Sequence, residues 1–160
     1  MIYQHETRMK KEDVYARTMH TPDDPARAEL RAALRELWKH LMPLHRALID
    51  AASADYRANV APVSGPNHLL QLLQEDPFFA WLRPMTTLIV DIDSMSRTDF
   101  ERADVEAIAA RVESLFTAGA TADLPSRYLA LVQSDVEVAI AHAAVRQALL
   151  RLLPPSTKTP

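Results

Sequence analysis

The chain has 160 residues, 48% of them apolar and 24% charged, with a net charge of −3, which suits one folded domain and excludes both a disordered chain and a global positive field for nucleic acid. It has no cysteine, which excludes disulfides, thiolate metal sites, iron–sulfur clusters and cysteine nucleophiles. Its two glycines, Gly65 and Gly119, are too few for the turns of a β-rich fold or for a phosphate-binding loop, and its abundance of Ala, Leu and Arg points to an all-α fold.

No apolar run approaches the roughly 18 to 20 residues that span a bilayer, and the N-terminus does not resemble a signal peptide. A cytoplasmic location is expected, and the Ala/Arg/Leu-rich composition is of a bacterial type. Residues 1–22 are polar, mixed in charge and poorly periodic, and read as a tail with room for a short docked helix at 10–19.

Asp24-Pro25 then offers an N-cap carboxylate followed by proline at the first helical position, where its missing N–H is harmless. The helix it opens is predicted over 25–57. Leu30, Leu34, Leu37, Leu41, Leu44 and Leu48 alternate in spacings of four and three, and Trp38, Met42, Ile49 and Tyr56 form a second row beside them. The two rows cover an arc of about 160°, too wide for one partner, so this helix should touch two others. Pro43 removes one donor from its middle and predicts a bend without a break.

Asn59 to Pro66 reads as a loop, followed by a short helix at 66–75. Asp76-Pro77 repeats the cap-plus-proline device and predicts a helix over 77–96, bent by Pro84, with Phe78, Trp81, Leu82, Met85, Leu88, Ile89, Ile92 and Met95 inward. Thr98-Asp99-Phe100-Glu101 has capping-box spacing and opens a helix over 99–117 that Gly119 ends. A short helix at 125–133 follows. Ser134-Asp135-Val136-Glu137, a second capping-box match, opens a helix over 135–153 that Pro154-Pro155 stops, leaving 154–160 as a polar tail. The segments 72–76 and 131–135, LLQED and LVQSD, echo each other at two helix–helix corners.

The expected architecture is a single domain over 23–153, a mainly antiparallel bundle of four principal helices with two short ones. Its interior polar candidates are His45 on the first helix and His142 on the last, imidazoles set within apolar faces near helix midpoints, with Asp91 and Asp135 as carboxylates able to approach them. No Glu-x-x-His pair exists for a carboxylate-bridged metal site, and GxxxxGK, GxGxxG and GxSxG are absent. No catalytic residue, cofactor or metal is therefore assigned. Asp93 and Arg97 have the spacing of a surface ion pair.

Phe79 and Val90 fall outside the inward stripe of 77–96, about 100° and 120° around from Phe78. Something must cover them: the preceding short helix, the N-terminal segment or another subunit. The leading functional expectation is a non-enzymatic protein that acts through protein–protein contacts and self-associates as a homo-oligomer, with Phe79 and Val90 as interface candidates. The alternative is a small-ligand or metal-binding bundle using the interior histidines. A third reading, nucleic-acid binding, would use the row Arg27, Arg31, Arg35 and Lys39, whose field Glu29 and Glu36 interrupt.

Overall fold

The computed structural model describes residues 24–117 and 123–153, with the side chains of 123–125 excepted. The tails at 1–22 and 154–160 and the stop at Gly119 lie outside these residues. The described chain is all-helical: α1 (Pro25–Asn59), α2 (Pro66–Glu75), a 3-10 turn (Pro77–Leu82), α3 (Arg83–Arg97), α4 (Arg102–Phe116), α5 (Asp123–Ser134) and α6 (Val136–Leu152), with no strand among them.

The leucine row of α1 forms the spine of the core, with Leu34, Leu37, Leu41, Leu44 and Leu48 all buried. The wide apolar arc does meet two partners: α1 packs most extensively on α6 and next on α3. Pro43 lies inside an uninterrupted helix. Asp24 occupies the N-cap position, but its carboxylate makes no capping bond, and only its carbonyl serves the first turn, accepting from Ala28 at 2.9 Å.

α2 spans the residues expected of it and follows Gly65, whose φ of 148° lies where side-chain-bearing residues are rare. It buries no residue fully and leans on the 3-10 turn with Leu69, Leu72 and Leu73 half-buried.

The expected helix over 77–96 is two elements. Pro84 has no amide hydrogen to offer the Ala80 carbonyl, so an α-helix could not run through this point with its bonds complete. The Arg83 amide bonds to the Ala80 carbonyl instead, in the i+3 pattern of a 3-10 turn. Asp76 caps that turn, its Oδ1 accepting from the Phe78 amide at 2.8 Å. Pro84 thereby falls in the first turn of α3, where it is harmless, and does not bend the helix farther along.

The next helix also starts later than its sequence pattern indicates. Glu101, not Thr98, is the N-cap of α4, and Asp104 Oδ2 accepts from the Glu101 amide at 2.8 Å. Thr98 is already committed to the end of α3: its hydroxyl donates to the Ser94 carbonyl at 3.2 Å and its own carbonyl accepts from Arg31 at 2.9 Å. Phe100, which turns inward, is buried between the two helices.

At the last corner, Asp135 caps α6 by accepting from the Glu137 and Val138 amides at 2.9 and 3.1 Å. The chain bends there by 113°. The corners at Asp76 and Asp135 share one construction: each aspartate donates its amide to a carbonyl four residues back, Leu72 at 2.9 Å and Leu131 at 2.8 Å, and caps the next element with its side chain. The echo between 72–76 and 131–135 is therefore corner chemistry used twice. No single described helix is long and apolar enough to cross a membrane.

Candidate functional site

His45 and His142 do not form a joint site. His45 Nε2 lies 2.9 Å from Thr86 Oγ1 on α3, while His142 Nδ1 is hydrogen-bonded to the Tyr128 hydroxyl on α5. The reason lies in the geometry of α1. Ala47, which lines a groove against α6, is two residues from His45 and so about 160° around the helix from it. His45 therefore faces the α3 flank, away from the helix that carries His142. Burial lowers the pKa of both imidazoles, and the Arg146 charge adds to the effect at His142.

Tyr128 is a site residue that periodicity did not single out. It is fully buried, stacks on Phe116 with ring centroids 5.3 Å apart, and shares with Phe116 the enclosure of the His142 ring. Burial raises its pKa. A neutral phenol can donate to Nδ1 or accept from it, so the bond joins the two rings in either histidine tautomer. Beside this cluster Arg146 of α6 pairs with Glu113 of α4 at 2.8 Å.

The carboxylates proposed to approach the histidines are engaged elsewhere. Asp91 pairs with Arg111 at 2.7 Å, joining α3 to α4 at a solvated edge, and Asp135 is spent on its cap. Asp93 and Arg97 form the expected surface pair at 2.9 Å. No group of three metal-ligating side chains gathers among the described residues. The basic row of α1 is largely occupied by its own fold: Arg31 donates to the Ser96 and Thr98 carbonyls at the end of α3 and lies over the Phe100 ring, Arg27 approaches Asp99 at 3.7 Å, and Lys39 pairs with Glu36.

Phe79 is corrected as an interface candidate, since it is 0% exposed within the chain. The arithmetic that placed it outside assumed 100° per residue, whereas a 3-10 turn advances about 120° and superposes residues three apart. Phe79 thus shares a side with buried Leu82, packing on Tyr56 at 5.3 Å between centroids. Phe78 shares the other side with Trp81. These two rings, with Ala52, Asp55, Arg127 and Leu131, line a cleft of about 370 Å³ between the end of α1, the 3-10 turn and α5. Arg127 lies over the Phe78 ring at 5.5 Å.

Val90, the other interface candidate, is 61% exposed, but the larger apolar surface lies on α6. There Val136, Ile140 and Leu150 are 74%, 67% and 54% exposed. Beside them runs a shallow groove of about 400 Å³ lined by Pro43, Arg46, Ala47, Asp50, Ile140 and Ala144. Comparison with protein-family models, curated proteins and solved structures found no match.

Proposed function

We propose that the chain is a non-enzymatic, cytoplasmic helical protein that acts through protein contacts and self-associates. One observation carries this reading: α6 is apolar on both sides, and among the described residues only one of those sides is covered. Val138, Val145, Ala148, Leu149 and Leu152 are buried, while Val136, Ile140 and Leu150 project to the outside. A helix apolar all round is normally covered all round. Sedimentation velocity between about 1 and 100 µM tests the reading, with a dimer or larger species expected. A chain that stays monomeric at tens of micromolar refutes self-association.

The same reading includes a mainly antiparallel bundle of α1, α3, α4 and α6. Its support is the order of contacts along the helices: early Arg31 meets late Ser96 while His45 meets Thr86, and the Arg151 charge reaches Glu36 while Asp50 shares a groove with Glu137.

A second reading, small-ligand binding, is favoured by the cleft at Phe78 and Trp81 and no longer by the histidines. Its aromatic walls and Arg127 suit a flat ring bearing an anionic group, within the size range of ligand pockets. Benzoate titrated against tryptophan fluorescence tests it: saturable quenching abolished by Arg127→Ala is expected, and a flat titration refutes it.

A further inference from the structure

We infer that α6 pairs with α6 of a second copy, antiparallel, about a two-fold axis at Ala143. This rests on the self-association proposed above and adds the partner, the surface and the orientation.

At 100° per residue, Val136, Ile140, Ala143, Gln147 and Leu150 lie within about 40° of one line along α6. All five are exposed, and the buried residues Val138, Val145, Ala148, Leu149 and Leu152 centre on the opposite side of the helix. The stripe has a midpoint. Val136 and Leu150 are each seven residues from Ala143, so a two-fold axis there lays the Val136 of one copy beside the Leu150 of the other. A small residue at the axis lets the two backbones approach closely, leaving the larger side chains to interlock on either side.

The charges beside the stripe select the orientation. One flank of the stripe carries Glu137 and Arg151, and the other carries Asp135 and Arg146. Antiparallel pairing about Ala143 brings each flank against the same flank of the second copy with its ends reversed. Arg151, eight residues from the axis, then faces Glu137 of the second copy, six residues from it, an offset of about 3 Å along the helix. Asp135 and Arg146 of the second copy share the other flank with an offset of about 7.5 Å along the helix, so their attraction is the weaker of the two. Each pairing occurs twice in the dimer. Parallel pairing would instead set Glu137 against Asp135 and Arg151 against Arg146, like against like, which is unfavourable. Asp135 and Arg146 already bond within their own chain, so their contribution is a field that sets orientation, with the apolar stripe supplying the affinity.

The absence of native cysteine makes the arrangement directly testable by single-cysteine cross-linking. Under mild oxidation, Ala143→Cys should form a covalent dimer, Val136→Cys alone should not, and a mixture of Val136→Cys with Leu150→Cys should cross-link between the two. Val90→Cys, outside the stripe, should stay uncross-linked. Glu137→Lys should raise the dimer dissociation constant by about fivefold at low ionic strength, an effect that fades at high salt. A dimer in which Val136→Cys bonds to itself and Ala143→Cys does not, or one indifferent to Glu137→Lys, overturns the antiparallel arrangement while leaving self-association standing. A monomer under all conditions overturns both.

Discussion

The two half-buried imidazoles make the molecule sensitive to acid. Each has its pKa lowered in the folded state, so between the folded and ordinary values the unfolded chain binds more protons than the native one. Their contribution to stability is therefore complete above about pH 6.5 and is lost as the pH falls through that value toward the folded one. The urea midpoint should drop between pH 7.5 and 5. His142→Gln, which can still hydrogen-bond to Tyr128 but cannot become charged, should flatten part of that slope. An unchanged slope in both His142→Gln and His45→Gln would refute this assignment. The aspartate corners are the other residue-scale dependence. Asp135→Ala removes a helix cap and should cost about 1 kcal/mol in chemical denaturation. Asp76→Ala should cost more, because Asp76 also accepts from the Tyr56 hydroxyl at 3.3 Å, tying the end of α1 to the turn.

Between elements, the seating of α1 on the end of α3 depends on one side chain. Arg31 satisfies two carbonyls that the helix itself leaves open, and its guanidinium lies 4.9 Å from the Phe100 centroid. Arg31→Met retains the apolar stem and loses both bonds, so a destabilisation of about 1.5 to 3 kcal/mol is expected from urea melts, whereas Arg35→Met should be near neutral. At this scale the structure is legible in the sequence where a single periodicity decides the matter. The α1 leucine row, the extent of α2 and the division between α5 and α6 follow from local spacing and local caps. It is not legible where two local rules compete. Thr98-x-x-Glu101 and Glu101-x-x-Asp104 both have the spacing of reciprocal capping pairs, and only the engagement of Thr98 by Arg31, 67 residues away, decides between them. The site was less legible still. His142 stands out within an apolar face, but its partner Tyr128 lies across a 113° corner, and periodicity assigns a residue to a face without naming what meets it.

For the whole molecule, Phe79 and Ile140 distinguish core from surface in one comparison. The 100°-per-residue rule puts Phe79 on an outer flank, which would make Phe79→Glu a test of association. The 3-10 turn instead buries it against Tyr56 and Leu82, so the substitution places an unpaired carboxylate in the core at a cost of several kcal/mol, a large share of the roughly 5 to 15 kcal/mol that holds such a domain folded. Phe79→Glu should therefore lower the Tm sharply or abolish the cooperative transition, and any loss of dimer would be secondary to unfolding. Ile140 is 67% exposed on the bare side of α6, where a charge removes nothing from the core. Ile140→Glu should leave the monomer's stability within about 0.5 kcal/mol of wild type while shifting the sedimentation coefficient to that of a monomer. The pair of measurements, Tm by circular dichroism and mass by sedimentation, should cross over between the two variants. If Phe79→Glu folds normally and dissociates while Ile140→Glu remains dimeric, the interface lies on the 3-10 turn, and α6 is an apolar surface helix without a partner.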